Sequence, residues 1–331
     1  MERLLPPIKQ PDKYVDFTDP QARPRYTGIP TFFRAPYTED LRETDIGVIG
    51  VPFDGGVTNR SGARHGPRAV RDQSSLLRRI NAATGIAPFA QARVRDLGDA
   101  WIEQPYELAN AHAEILAFFK TVVGAGVIPL SVGGDHSISL PILRAVARER
   151  PLGMVHIDAH CDTGGDYMGS RFHHGAPFSR AVEEGLLDPH RVIQIGIRGT
   201  TNDPDMWGFS QRSGMRVLGM DEFHDTGWRY AVQEARRVIG DGPAYLTFDI
   251  DSLDPSHAPG TGTPEAGGIT ALEAIRMLRG LRGLDFVGGD LVEVAPSFDV
   301  GTLTSFNGAS VLFEILCLLV EARSLRLAGS T

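Results

Sequence analysis

The chain reads as an α/β domain built on buried parallel strands and preceded by a proline-rich arm. Two observations predict this. From Asp45 onward, short and nearly all-apolar runs alternate with amphipathic stretches, the pattern of strands covered on both faces and joined by crossover helices. No linker, low-complexity tract or internal repeat interrupts positions 45–325 of the 331 residues. The prior of about two domains for such a length therefore contracts to an arm over 1–40 and one domain over 41–331.

Each element follows from local composition. Ile46–Val51 opens the series as an uncharged apolar run, and Arg93–Leu97, Val127–Val132 and Gly153–Asp158 follow as strands. Val192–Ile197, the short Met215–Leu218, Ala244–Asp249 and Phe286–Glu293 complete eight. Between them, apolar residues at helical spacing predict helices near 66–80, 106–123, 138–149, 178–186, 204–213, 228–239, 270–282 and 304–323. Eight such strands suit either a closed barrel or an open three-layer sheet, and periodicity does not choose. Residues 1–40 carry seven prolines, which fix φ and remove donors. That composition suits a poorly ordered tail, or an arm in which Phe32, Phe33 and Tyr37 pack on the body or on a neighbouring subunit.

Charge and cysteine usage exclude several classes. Lys and Arg number 33 against 41 Asp and Glu, a formal net of −8, which disfavours nucleic-acid and anionic-lipid partners. The two cysteines, Cys161 and Cys317, cannot build a disulfide framework and fit a reducing compartment. The N-terminus lacks the apolar core of a secretory signal. The run Val311–Val320 is interrupted by Glu314 and is far shorter than the roughly 20 residues a bilayer needs. A cytoplasmic protein without membrane contact is expected. No G-x-S-x-G elbow occurs, which disfavours a serine hydrolase.

Three clusters lie just past the carboxyl ends of predicted strands, the edge where α/β folds build sites. Gly133-Gly134-Asp135-His136-Ser137 is a tight turn whose histidine is a ligand or a capped loop residue. In Asp158-Ala159-His160-Cys161-Asp162, the first, third and fifth side chains share one face of an extended segment. Unpaired carboxylates at the end of a buried strand are costly without a cation or donors, although Asp and Thr also cap helices. Asp249-Ile250-Asp251 repeats the two-residue spacing, and Pro259–Gly268 after it is a rigid, glycine-punctuated loop. Together these supply His136, Asp158, His160, Asp162, Asp249 and Asp251. Imidazole and carboxylate without thiolate suit Mn²⁺ or another borderline-hard divalent ion rather than structural zinc. Six ligands exceed what one open catalytic ion needs and fit two ions bridged by carboxylates and a water.

These motifs, with Gly62-Ala63-Arg64-His65-Gly66-Pro67 and Pro259-Gly260-Thr261-Gly262-Thr263-Pro264-Glu265, resemble the ureohydrolases, the arginase and agmatinase family. The loop at 259–265 is similar to the agmatinase, guanidinobutyrase and guanidinopropionase branch, and the resemblance spans about Gly28 to Leu319. It implies an open three-layer α/β/α sandwich with an eight-stranded, mostly parallel sheet. It implies two Mn²⁺ per subunit, or Ni²⁺ as in some members. One ion would be held by His136, Asp158, Asp162 and Asp249, the other by Asp158, His160, Asp249 and Asp251. Activated water then attacks the guanidinium carbon of a small-molecule guanidino substrate, with Asp162 orienting it, and urea or a substituted urea leaves with an amine. Glu293 matches the guanidinium-binding glutamate and His174 the proton-shuttling histidine, with His173 a bystander. A homotrimer or homohexamer is implied, and a hetero-oligomer with a related chain is the variant on it.

Two departures bear on the substrate tail. Gly164 stands where relatives often carry an Asn near a substrate carboxylate, and Asp166 follows it. Loss of an amide donor and gain of an acid favour a cationic or neutral tail, as in agmatine, an alkylated guanidine or a biguanide such as metformin, over a guanidino acid. The competing reading is that Asp166 points to solvent. Phe306 and Asn307 replace common aliphatic residues and would alter specificity if they face the pocket.

Overall fold

The sheet is laid down by the apolar runs: β1 (Ile46–Val51), β2 (Val94–Asp99), β3 (Ile128–Gly133), β4 (Leu152–Ile157), β5 (Leu187–Ile197), β6 (Arg216–Gly219), β7 (Ala244–Asp249) and β8 (Phe286–Val292). The computed structural model describes residues 24–201, 204, 205 and 207–329. The strand order is β2-β1-β3-β8-β7-β4-β5-β6. Every neighbouring pair is parallel, and β2 and β6 are its two outer strands, so the sheet is open; the arm bridges to β2 between Tyr37 and Asp96. Nine helices are described: α1 (Gly66–Ser74), α2 (Pro88–Gln91), α3 (Leu108–Gly124), α4 (Ser139–Val146), α5 (Pro177–Glu183), α6 (Gly208–Ser213), α7 (Met220–Ile239), α8 (Ala271–Gly280) and α9 (Leu303–Gly329).

Strand alternation builds the three layers. Val155 and Ile157 of β4, with Leu246 and Phe248 of β7, face one apolar cluster shared with α1, α7, α8 and α9. Met154 and Tyr245 face the opposite cluster, shared with α3, α4 and α5. Side chains of a strand alternate with period two, so a run apolar at every position fills both cores. The sandwich is the one the motifs implied, and the parallel pairing is complete rather than partial.

Several boundaries differ from the sequence expectation. The first helix stops at Ser74, not near 80, because the hydroxyl of Ser74 accepts the Phe33 N–H at 2.8 Å and binds the arm there. The helix expected at 228–239 is preceded by a turn from Met220, and Gly227 at φ +79° is the break between them. One short helix, α2, was not anticipated.

The described part of the arm packs on its own body. The Phe32 N–H donates to Asp96 Oδ2 at 2.7 Å, and its ring lies 4.1 Å beneath the Arg71 guanidinium. Phe33 is buried edge-on to Phe313, with centroids 5.6 Å apart. Tyr37 stays 56% exposed. The arm's residues 1–23 lie outside the described residues.

The last helix is longer than its apolar run suggested. α9 has 27 residues and passes the length and hydropathy test for a bilayer, but 78% of its most apolar stretch is buried inside the protein. It is the core helix of one layer. Glu314, which interrupts the run, accepts from Arg279 at 2.6 Å and from Asn81 at 2.8 Å.

The glycine pair after β3 has a steric cause. A Cβ on Gly134 would lie 1.8 Å from the Phe53 carbonyl oxygen, where the turns leaving β1 and β3 meet. Backbone cannot yield as a flexible side chain can. Gly134→Ala should cost about 1–3 kcal/mol, read as a lowered midpoint in chemical denaturation. A midpoint within error of wild type would show that the contact relaxes.

Candidate metal centre and active site

The strand order puts the chemistry together. β3, β8, β7 and β4 are consecutive in the sheet, and their carboxyl ends deliver His136, Glu293, Asp249 with Asp251, and Asp158 with His160 and Asp162. Residues more than 150 positions apart in the chain thus meet over four neighbouring strands.

His136 sits at the middle. Its Nδ1 lies 3.1 Å from Asp158 Oδ2, 3.1 Å from Asp162 Oδ2 and 3.2 Å from Asp249 Oδ2, yet it is buried and makes no hydrogen bond. Its other nitrogen, Nε2, faces the Thr247 hydroxyl at 2.8 Å. Thr247 can accept the Nε2 proton, which leaves the Nδ1 lone pair aimed at the three oxygens. That is how an outer partner orients a metal-binding imidazole. On the other side, His160 Nδ1 is 3.2 Å from Asp251 Oδ2 and 3.5 Å from Asp158 Oδ1. Ligand atoms of Asp158, His160 and Asp251 lie within 4.8 Å of one another, as do those of His136, His156 and Asp158.

Electrostatics demand a cation here. Asp158, Asp249 and Asp251 are buried. Burial, with Asp251 and Asp158 beside it, pushes Asp249 well above the ordinary carboxylate range. Burial also opposes the His136 cation, but the surrounding Asp158, Asp162 and Asp249 carboxylates outweigh it and hold that imidazolium well above the usual histidine range. The protein thus recruits protons to offset crowded anions. Divalent cations offset them better, and an orphaned nitrogen facing three carboxylate oxygens fits such an ion.

Beside this centre, His174 and Glu293 form a pair. His174 Nδ1 and Glu293 Oε1 are 2.8 Å apart, and the same oxygen accepts the His136 backbone N–H at 2.9 Å. Glu293 Oε2 is buried with no partner. His174 Nε2 meets the Thr58 backbone N–H at 3.1 Å and the Thr58 hydroxyl at 2.8 Å. Neutral His174 can accept from the amide, and protonated His174 can donate to the hydroxyl. Thr58 therefore accommodates both charge states. Burial opposes the cation, but Glu293 outweighs it and raises His174 to about 9.

Strain and clamps hold the loops. Asp162 and Glu293 have φ of +49° and +64°, a region that costs non-glycine residues free energy and clusters at functional sites. Buried Asp135, raised to about 6 by burial and by Glu293, accepts the Gly56 N–H at 2.7 Å. The Gly56 carbonyl accepts the His174 N–H at 2.9 Å. Arg198 donates to the carbonyls of Asp251, Ser252 and Leu253 and to those of Glu265 and Ala266, which ties the Asp251 turn to the 259–268 loop. That loop brings the Thr263 hydroxyl to 3.2 Å from Asp251 Oδ2. His173 is structural: its Nδ1 accepts the Gly175 N–H at 3.2 Å and its Nε2 donates to the Gly165 carbonyl at 2.9 Å.

A cleft of about 240 Å³ opens onto the centre, lined in part by Thr58, Asp162, Gly164, His174, Thr200 and Thr263. Asp166, Phe306 and Asn307, expected from the sequence near the substrate tail, are not among the described residues lining this cleft. Asp166 Oδ1 accepts from Arg180 at 3.1 Å, an arginine that also pairs with both oxygens of Glu183, and the carboxylate is largely exposed. Asn307 spends its amide on the His257 carbonyl at 2.8 Å, and Phe306 stands on the first turns of α9, 37% exposed. Gly164 does line the cleft, but for a packing reason, since a Cβ there would meet the Gly175 carbonyl at 2.8 Å. Thr58, Thr247, His156 and Gln194 were missed by sequence reasoning. A histidine or glutamine inside an otherwise apolar strand was the available signal for two of them.

The family model for arginases matches residues 44–318. The chain belongs to the arginase family. It is 55% identical to the guanidinopropionase of Pseudomonas aeruginosa, over 90% of this chain and 94% of that protein. It is 45% identical to the mitochondrial agmatinase of Gallus gallus, over 92% and 89%. Among solved structures, the proclavaminate amidino hydrolase of Streptomyces clavuligerus superposes with a TM-score of 0.87 at 39% identity, covering 91% of this chain and all of that one.

The His174–Glu293 pair carries a pH signature in the metal-free protein. A histidine whose folded pKa stands above its unfolded value of about 6.5 stabilises the fold fully below that value. The contribution is lost as pH rises through about 9. It is on the order of 3 kcal/mol. Denaturation midpoints should therefore fall between pH 6.5 and 9 in wild type and fall less in His174→Asn. Parallel curves for the two proteins would remove the charged pair from the account.

Proposed function

We propose that this arginase-family member is a binuclear-metal hydrolase that cleaves a guanidino C–N bond, releasing urea or a substituted urea and an amine. The observation that carries the reading is the shared Asp158. It stands 3.1 Å from His136 Nδ1 through one oxygen and 3.5 Å from His160 Nδ1 through the other, beside a buried carboxylate oxygen of Glu293 that lacks a partner. His136, Asp158, Asp162 and Asp249 would hold one ion, and Asp158, His160, Asp249 and Asp251 the other. Hard oxygen and imidazole donors suit Mn²⁺, with Ni²⁺ the alternative. When bound, two divalent cations polarise water and offset the charge that develops as a trigonal carbon becomes tetrahedral.

The chain's own residues do the rest. Glu293 Oε2 receives the forked N–H donors of a planar guanidinium, a charge-assisted bond that fixes the carbon's position. Asp162 orients the attacking water. His174 takes up one proton of the attacking water at Nε2 and returns it to the departing nitrogen as the C–N bond breaks; the second water proton, left on the intermediate's hydroxyl, follows it, so that the amine leaves protonated and neutral urea remains. The Thr58 amide and hydroxyl stabilise its two states in turn.

For the tail, no lysine or arginine stands among the described residues lining the cleft. This supports a cationic or neutral tail, such as that of agmatine, over a carboxylate. A second reading, a guanidino acid, is favoured by the 55% identity to a guanidinopropionase. We further propose a cytoplasmic homotrimer or homohexamer.

Metal analysis should find two Mn²⁺ per chain in active enzyme. Asp158→Asn should lower urea release by more than about 100-fold while preserving the circular dichroism spectrum, as loss of several kcal/mol of Lewis-acid stabilisation requires. Undiminished turnover in that variant would overturn the mechanism. Assayed side by side, agmatine should exceed 3-guanidinopropionate in kcat/KM, and the reverse order would establish the guanidino-acid reading.

A further inference from the structure

One step beneath the strand ends, a buried polar row crosses the sheet on its α3–α5 side. β-pairing aligns Thr247 with His156 and His156 with Gln194, and all three are fully buried. Such residues are costly in a strand core unless hydrogen-bonded. Thr247 is explained by His136. The other two are not metal ligands in the assignment above, and no step of the mechanism uses them.

Their hydrogen bonds can be directed by elimination. The Gln194 amide group touches the Cys161 carbonyl oxygen at 2.6 Å and His156 Nδ1 at 3.0 Å through the same atom, Nε2. A carbonyl only accepts, so that atom must be the NH₂; reversing the amide would set oxygen against oxygen. Nδ1 of His156 must then accept, and its proton resides on Nε2. Nε2 lies 2.6 Å from Asp158 Oδ2 and donates to it. Gln194 pays for this with a buried Oε1 that has no partner. With Nδ1 capped and Nε2 protonated, His156 has no lone pair to offer an ion, although it groups with His136 and Asp158 in space.

We propose that His156, locked by Gln194 as the Nε2–H tautomer, is a positioning residue that sets the carboxylate plane of Asp158 and is not itself a ligand. Asp158 is gripped from both ends: His156 donates to Oδ2 and the His160 backbone N–H donates to Oδ1, each at 2.6 Å. Phe178 closes the space around the imidazole, with ring centroids 4.5 Å apart, so water does not compete for the donor. Asp158 faces both histidine ligands, so its plane governs the whole centre. Gln194 reaches that carboxylate only through His156.

The proposal rests on the reading of the site as a divalent-metal centre, and two measurements on the full-length enzyme separate them. The first is nuclear magnetic resonance of nitrogen-labelled histidine in chelator-treated protein, with the His156 signals identified by their loss in His156→Gln. A protonated Nε2 and bare Nδ1 are expected in wild type, with the distinction blurred in Gln194→Met. A protonated Nδ1 in wild type overturns the tautomer lock. The second is Mn²⁺ titration by calorimetry with metal analysis. His156→Phe and Gln194→Met should bind two ions per chain with affinity weakened about 10–100-fold, the range for outer-partner loss. His156→Gln, which restores an N–H donor, should recover part of it. Loss of one ion from folded His156→Phe would make His156 a ligand and overturn the proposal, as would unchanged affinity. No Mn²⁺ or Ni²⁺ bound by wild type would overturn the metal-centre reading instead, and the tautomer result would stand apart from it.

Discussion

Everything in this structure answers to one constraint: Asp158, Asp249 and Asp251 are buried as near neighbours at the ends of two adjacent strands. Like charges in a low-dielectric interior repel strongly and lose hydration. The fold surrounds them with donors at each turn. The Asp251 backbone N–H donates to Asp249 Oδ1 at 2.8 Å, the Ala159 N–H to Asp251 Oδ1 at 3.2 Å, and His156 and the His160 amide to Asp158. What remains unbalanced is charge, and the natural counterweight is a pair of divalent ions. The site is thus unfavourable for folding by itself and favourable for binding metal.

Holding such a cluster requires stiffness around it. The parallel sheet supplies part of this, since four consecutive strands carry the functional loops. The loops themselves are tied down by Arg198 and Asp135, and by the arginine-free Thr263 contact to Asp251. The strained φ values of Asp162 and Glu293 persist only because these neighbours over-determine the backbone. The interaction energy of the surrounding network is spent on geometry at the ligands rather than on overall stability.

The legibility of the site was uneven for physical reasons. Asp158, His160 and Asp162, like Asp249 and Asp251, are close in sequence, and strand alternation alone places them on one face. Glu293 and His174 were found through motifs, because their partnership spans 119 positions and leaves no local periodicity. Asp166 misled because a charge next to a ligand motif looks functional, yet it pairs with Arg180 and is largely exposed. Gly164 looked like a deleted amide, yet the Gly175 carbonyl leaves no room for a Cβ. On the first turns of α9, Asn307 donates its amide to the His257 carbonyl and Phe306 stays partly exposed.

By itself the sequence determined the alternation of strands and helices, the six candidate ligands and the acidic net charge. These are written in short-range patterns, where one or two residues of spacing decide which side chains share a face. Only the tertiary structure decided the strand order, the orphaned Nδ1 of His136, the two-sided cradle of His174 and the role of His156. Each of those depends on atoms brought together from distant strands, with hydrogen-bond directions set by partners such as the Cys161 carbonyl. A motif can name a histidine, but which of its nitrogens holds the proton is settled by what packs against it.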